Sequence, residues 1–375
     1  MKVIVVGAGI MGLCIARSLR CYGHAVHVID QGPIPNPLSS SFDHHRLIRH
    51  LYGTQKFYAS LVPVALESWS SLFEQLEERY YIETGCLALG LTNSSWTRES
   101  ISSLAEMGVE YQVFGNEELR RRFTWLKLGQ KEAGIYTPAG GILLAKEILT
   151  SLKTYLLGEG VAFTPHCEIA SVDSSEGVLR SKSDEQFEAD YIVTALGAWH
   201  PAFSDKDPSF LNDSIVSSRQ TIGRCFSPSS ELTVENNCPM ILDMDGEAGL
   251  YLVPGSESFP MKFGGHHLHK IEPPKTERSV TASERTQLDS ILNDRIQTDS
   301  PIVVEDCSVC YYAMAPQSSI ILEQRRSSLS ISGGSGHSFK WGALFGELLA
   351  DVVSGTRTFE DVREIVGGRS TVSLR

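Results

Sequence analysis

Near the N-terminus, apolar residues fall into two successive patterns. Residues 2–6, "KVIVV", form a continuous β-branched run, as expected of a strand buried on both faces. "LCIARSLR" then repeats apolar residues at helical spacing, and Gly23 ends the segment. "AVHVID" is a second buried strand closing on Asp30. Further on, the pattern predicts one long helix over 58–79, a strand at "CLALGL" and a short helix around 116–123. It predicts a strand end and a helix over 140–160, then short strands separated by Ser/Asp/Gly turns up to Trp199. Residues 214–270 read as strand-rich, 282–296 as an amphipathic helix, and 328–353 as strand, glycine turn and helix. No internal repeat or low-complexity tract interrupts these elements.

The first β-α-β unit carries Gly7, Gly9 and Gly12 at its turn, in the G-x-G-x-x-G arrangement, with Asp30 at the end of its second strand. Gly7 allows a tight turn, Gly9 lets the backbone approach a pyrophosphate, and Gly12 lets the helix lie close to the sheet. Unpaired N–H groups at the helix start favour phosphate, and an acid in this place accepts hydrogen bonds from a ribose diol. The segment therefore reads as a dinucleotide site. The regular series of further β-α-β units expected of a nicotinamide enzyme does not follow. The strand of "ADYIVTALGAW" and the C-terminal strand-turn-helix belong with the first unit instead, and β-rich segments lie between them. The expected fold is mixed α/β (α+β), with a discontinuous Rossmann-like FAD-binding domain over 1–85, 145–213 and 300–375. A β-rich substrate domain is interleaved over 86–144 and 214–299.

Composition narrows the partners. The chain has 375 residues, 42% hydrophobic and 21% charged, with a net charge of -12. That balance argues against nucleic acid and anionic membrane surfaces as partners, and no apolar run is long enough to span a bilayer. The N-terminus lacks the pattern of a secretory signal, and the final Ser373-Leu374-Arg375 is neither a peroxisomal nor a retention tail. Eight cysteines over this length do not make a disulfide framework. A cytoplasmic, reducing location is expected. Cys307 and Cys310 have C-x-x-C spacing, but no second pair completes a zinc site and the segment reads as β. No metal is expected, and the histidines of "GGHHLHK" lack a completing ligand set.

Against the acidic background, "HHRLIRH", residues 44–50, is almost wholly cationic in its polar positions. Such a run is either a site for a small anion or a solvated basic loop pairing with nearby acids. At this point the chain resembles the D-amino-acid-oxidase type of FAD enzymes, and within it the branch of monomeric sarcosine oxidase and N-methyltryptophan oxidase. The resemblance spans essentially the whole chain. It rests on "VIVVGAGIMG", "HRLIRHLYG", "AGGILLAKEI", "IVTALGAW", "MKFGGHH", "CSVCYY" and "GGSGHSFKWG", in the family's order.

The resemblance implies an amine oxidase that converts a small amino acid, with a secondary N-methyl or cyclic amine, to an imine while O2 becomes hydrogen peroxide. It implies that Arg46 lies over the flavin ring and that Arg49 and Lys340 bind the substrate carboxylate, tasks that suit a flat guanidinium and a point charge. The turn from Gly333 through Gly334 and Gly336 to His337 is expected to bring N–H groups to the flavin. Lys262 matches the family's oxygen-activating lysine, and His266 an active-site histidine. Cys310 matches the cysteine that forms a thioether to the flavin 8-methyl carbon. Tyr312 would face the same side of its strand as Cys310, and Tyr251 is a weaker substrate-binding candidate. A monomer is implied. The chain departs from the pattern at Phe42, His44 and His45, in "MAPQSSIILEQ", and at Gly265, where an aromatic residue is usual; these positions put sarcosine itself in doubt. A dehydrogenase or desaturase of a cyclic imino acid and a non-catalytic flavin-binding module remain open alternatives, separable by peroxide production and by bleaching with an amine.

Overall fold

The computed structural model describes residues 1–204, 214–226, 229–243, 249–298 and 302–367. The chain builds two large sheets. In the first, strands Lys2–Val6, Ala25–Ile29, Ala162–Thr164, Tyr191–Thr194 and Ser328–Gly333 run parallel, and Ile320–Arg325 closes one edge as an antiparallel hairpin arm. The spatial order is 320–325, 328–333, 191–194, 2–6, 25–29, 162–164. Side chains of Lys2–Val6 are buried from Val3 onward, which is why an unbroken β-branched run was needed there.

Helices Ile10–Cys21, Lys56–Gln75, Ala145–Gly158 and Gly342–Ser354 pack with this sheet in one apolar core. The first and last cross closely. A Cβ on Gly346 would stand 2.7 Å from the backbone carbon of Cys14, and one on Gly342 would stand 2.6 Å from Ile10. Arg17 and Glu347 pair across the same crossing at 3.2 Å. The long helix begins and ends earlier than the 58–79 predicted, and its Pro63 sits on the exposed face. The C-terminal pattern holds one helix more than expected: Gly355, left-handed with φ 75°, ends Gly342–Ser354, and Phe359–Val366 follows behind a Thr358 cap.

The second sheet has eight strands in the order Asp306–Met314, Val216–Cys225, Met261–Ile271, Leu250–Val253, Met240–Asp243, Cys86–Leu91, Glu132–Thr137 and Gln112–Phe114. Strand Asp306–Met314, which the expected boundaries group with the cofactor unit, pairs antiparallel with Val216–Cys225 from Val216↔Met314 to Arg224↔Asp306. The expected boundary at 299/300 and the terminal tripeptide lie outside the described residues. A short sheet, Arg46–Ile48, Gly141–Leu143 and Tyr81–Glu83, ties the cationic run to the start of helix Ala145–Gly158. A fourth, antiparallel sheet of 169–173, 178–181 and 186–188 packs beside the first. Helix Ala282–Arg295 has a full capping box between Thr281 and Glu284. No helix among the described residues is long and apolar enough to cross a membrane.

Candidate active site

The glycine turn between the first strand and helix is built as its spacing predicts. Gly7 has φ 102°, and a Cβ there would lie 2.4 Å from the Ala195 carbonyl oxygen at the end of the neighbouring strand. A Cβ on Gly12 would lie 1.8 Å from the carbonyl oxygen of Gly7. Gly9 caps the helix without a side chain, and the Ile10 N–H donates to Ser41 Oγ at 3.0 Å. Asp30 is buried, and its carboxylate is already engaged. It accepts from the Ala8 N–H at 2.8 Å, the Gly32 N–H at 2.9 Å and Asn36 Nδ2 at 3.0 Å. The residue expected to hold a ribose thus also braces the turn itself, leaving Gln31 beside it on the wall of the same cleft.

That cleft, about 1390 Å³ counting the open space at its mouth, runs from Gly7, Gly9 and Asp30 to Arg46, Tyr312, Gly336 and Phe339. A second cleft of about 1530 Å³ shares Arg46, Tyr312, Gly336 and Phe339 with it and continues to Arg49, Lys262, His266 and Lys340. The shared wall is where a ligand of one cleft meets a ligand of the other.

Asp43 organises the cations at this wall. Its carboxylate accepts from Arg46 Nη1 at 2.6 Å, Lys262 Nζ at 3.1 Å and Arg224 Nη2 at 2.9 Å. The carbonyl oxygen of His45 accepts from the same Lys262 and Arg46 at 2.5 and 2.8 Å. Burial opposes ionisation of Asp43, but these cations outweigh it and hold its pKa well below the usual carboxylate range. Burial, opposed by Asp43, brings the Lys262 ammonium down to about 7. The His45 ring, wholly buried, donates or accepts at Nε2 to Pro260 O, 3.1 Å away; only the donor role fits a carbonyl partner, and burial keeps the ring neutral.

Arg49 and Lys340 come from distant parts of the chain and meet at one ring. The Arg49 guanidinium carbon stands 4.4 Å from the centroid of Tyr52, and Lys340 Nζ stands 5.3 Å from it. Arg49 Nε and Nη1 are buried and have no hydrogen-bond partner among the described residues. Neither cation forms an ion pair among the described residues. Burial, then Arg49, pushes the Lys340 pKa well below that of an ordinary lysine. Two uncompensated, largely buried cations at the end of a cleft favour a bound anion strongly. Lys340 lies in the 3-10 turn Phe339–Trp341, just ahead of the helix rather than in its first turn, and its carbonyl accepts from Trp69 Nε1 at 2.7 Å.

Strand Asp306–Met314 places Cys310 and Tyr312 on one face by its two-residue alternation. Tyr312 lines both clefts, and Tyr251 lines the second beside it. Glycines make room for this pair: a Cβ on Gly264 would lie 2.6 Å from the Tyr251 hydroxyl, and one on Gly336 would lie 2.6 Å from the Tyr312 ring. Cys310 is buried, which raises its thiol pKa, while Arg46 pulls the other way. It does not line either cleft. His266 is exposed at the mouth of the second cleft, and its N–H donates to Gly249 O at 2.9 Å. In the turn after Gly333, the N–H groups of Gly334, Ser335 and His337 are spent within the protein, on Ser319, Ala313 and Gly334 carbonyls. Gly336 and Ser338 both line the first cleft, and among the described residues their N–H groups are not committed to the backbone. The His337 ring bridges Ser318 O at 2.7 Å and Trp341 Nε1 at 3.2 Å, a supporting arrangement within the wall.

The structure thus brings Arg46, Arg49, Tyr251, Lys262, His266, Tyr312, Gly336, His337 and Lys340 to one cleft, with Gly7, Gly9 and Asp30 at the far end of the adjoining one. Asp43, Tyr52 and Trp96 were missed. Asp43 directly precedes the cationic run, but nothing local shows which cations it meets, since Lys262 and Arg224 come from distant strands. Trp96 lies so close that a Cβ on Gly53 would stand 2.3 Å from its ring, and no local pattern announces that contact.

A family model described as DAO, FAD dependent oxidoreductase, matches residues 2–352. Among curated relatives, monomeric sarcosine oxidase from Bacillus sp. (strain NS-129) is 24% identical over 371 residues, covering 96% of this chain and 94% of that one. N-methyl-L-tryptophan oxidase from Yersinia pestis (strain Pestoides F) is 22% identical, covering 92% and 93%. Among solved structures, the open form of NikD, an unusual amino acid oxidase essential for nikkomycin biosynthesis, superimposes with a TM-score of 0.81 at 20% identity over 100% of this chain and 98% of that chain.

Proposed function

The chain belongs to the FAD dependent oxidoreductase family, and from that premise we propose that it oxidises a small amino acid bearing a secondary amine, N-methyl or cyclic, to the imine. FAD fits the first cleft: Gly9 puts no side chain of its own at the helix start, and Gly336 and Ser338 offer N–H groups at the opposite end. Gly7, Gly9, Gly12 and Asp30 would hold the dinucleotide end, and Arg46, Gly336 and Ser338 the ring end. When bound, FAD accepts two electrons from the amine and passes them to O2, giving hydrogen peroxide.

The remaining work belongs to this chain. Arg49 and Lys340 bind the carboxylate, and Tyr52 braces both cations from one side. That contact fixes the amine end of the substrate toward the wall of Arg46 and Tyr312, and such positioning lowers a barrier by several kcal/mol. Tyr251 and Tyr312 border the same space and His266 stands at its mouth. Lys262 supplies a buried positive charge for the reduction of O2. The substrate leaves two electrons and two protons, and the imine hydrolyses in water. We assign the smaller first sheet to the cofactor and the eight-stranded sheet to the substrate, with one polypeptide sufficing for the site.

The convergence of Arg49 and Lys340 on Tyr52 beside the shared wall carries this reading. The test is anaerobic mixing of the purified protein with a panel of N-methyl and cyclic amino acids, followed by admission of O2. Loss of the flavin absorbance with one or more of them, and one peroxide per turnover, is expected. Bleaching without peroxide would reassign the protein as a dehydrogenase or desaturase. Acid precipitation of the same sample tests attachment through Cys310: flavin remains with the wild-type chain and is released from Cys310→Ala.

A further inference from the structure

Lys262 and Arg46 are tethered to the same two oxygens. Asp43 Oδ2 and the His45 carbonyl each accept from both side chains. The other Asp43 oxygen takes Arg224 Nη2 and the His44 N–H, each at 2.9 Å. The side chain of Asp43 is 2% exposed, Lys262 4%, Arg224 11% and Arg46 14%. Three cations are therefore enclosed around one carboxylate that touches all of them. Building on the function proposed above, we propose that Asp43 is a positioning residue that clamps the Lys262 ammonium against Arg46 at the wall between the two clefts and sets the charge state of Lys262 there.

The chemistry of the members decides how this works. An arginine does not shed its proton inside a protein. Of the three cations, Lys262 alone has that freedom. Its surroundings are Asp43 and the neutral His45 from the preceding segment, Arg46 from strand Arg46–Ile48 and Arg224 from strand Val216–Cys225. The thiol of Cys310 and the tyrosines Tyr251 and Tyr312 face the same cluster and are uncharged at neutral pH. Asp43 is the one negative charge among them. Removing it leaves Lys262 with burial and two arginines, all of which favour the neutral amine. Arg224 acts in the opposite sense: it shares the carboxylate and repels Lys262. Beyond Asp43 it is held by Asp306 at 2.8 Å and Ser308 at 2.9 Å, so the clamp is anchored in strand Asp306–Met314.

Two variants move the same ionisation in opposite directions. In Asp43→Asn the pH at which Lys262 loses its proton falls by roughly 1–3 units, the effect of one close opposite charge; in Arg224→Gln it rises. Two readouts report it in the flavin-loaded protein. The first is the rate of reoxidation by O2 against pH, with the rate of reduction by the amino acid measured separately. The second needs no turnover: the affinity for sulfite, which places negative charge on the flavin, taken at each pH as a ratio to Lys262→Met so that sulfite's own ionisation cancels. The wild-type ratio steps down near pH 7, the Asp43→Asn step lies lower and the Arg224→Gln step higher. At pH 8, reoxidation of Asp43→Asn is about tenfold slower than wild type for each unit of displacement, and adding Lys262→Met to it removes the pH dependence that remains. Unmoved steps in both variants overturn the proposal, and should Asp43→Asn not fold, the Arg224→Gln step decides alone. Failure of any amino acid to reduce the flavin would instead overturn the functional reading, while the sulfite steps would still decide the role of Asp43.

Discussion

Tyr52 shows how much a single side chain can organise. One ring lies under both Arg49 and Lys340, and its own packing against Tyr58 and Trp341 fixes where those cations end. The arginines, Lys340 and Lys262 were legible in the sequence because a cationic run in an acidic chain is conspicuous and the family motifs surround it. Tyr52 and Asp43 were not, since their importance depends on residues brought in from 216–225, 261–271 and 339–341. The same enclosure leaves a titration signature. His45, His50 and His337 are buried neutral, with desolvation as the leading cause, and burial brings His50 to about 4 and His337 to about 3 from an ordinary 6.5. The unfolded chain takes up protons near pH 6.5 that the folded chain refuses. The stability these groups contribute is present above pH 6.5 and is lost as pH falls through their folded values. The midpoint of thermal unfolding is expected to drop steadily between pH 6.5 and 4, and His50→Gln, if it folds, to flatten that slope. A flat profile from pH 6.5 to 5, above the range where ordinary carboxylates titrate, would contradict the burial of these rings.

At the scale of elements, the turn from Lys2–Val6 into Ile10–Cys21 was fully legible because its constraints are local. Strand, glycines and helix lie within one short segment, and Gly7 and Gly12 are each required by a backbone carbonyl oxygen that a Cβ would strike. Gly12→Ala puts a methyl group where the Gly7 carbonyl oxygen stands, at 1.8 Å. The turn must open, and we expect the variant to be purified without flavin where wild type carries it; a variant that carries stoichiometric FAD would show that the turn does not hold the cofactor. Other elements were less readable. Strand Asp306–Met314 was recognised as β, but nothing in its own residues tells that its partner is Val216–Cys225 rather than the cofactor sheet. Helix Phe359–Val366 was missed beyond a glycine stop, although Thr358 and Asp361 form a cap that could have announced it.

For the whole molecule, the division of labour follows from where two sheets meet. The first sheet ends its strands at a cleft suited to a dinucleotide, and the eight-stranded sheet turns Tyr251, Lys262 and Tyr312 toward the adjoining cleft. The discontinuous order of segments was visible in the sequence, since the strand at 191–194 and the final strand-turn-helix could be recognised as belonging with the N-terminus. The shape of the substrate space was not, because Trp96, Leu242 and Ile222 reach it from separate elements. On the function proposed above, the whole arrangement would provide an acid-binding end, Arg49 and Lys340, beside the wall of Arg46 and Tyr312. The direct test is anaerobic flavin reduction by each active amino acid beside the same amine lacking its carboxylate, a cyclic imino acid against its parent ring amine or an N-methyl amino acid against the N-methylamine. The acid is expected to bleach the flavin with a saturable rate, and the decarboxylated amine to leave it oxidised at the same concentration. Equal rates and equal saturation for the two would contradict the grip of Arg49 and Lys340 on a carboxylate.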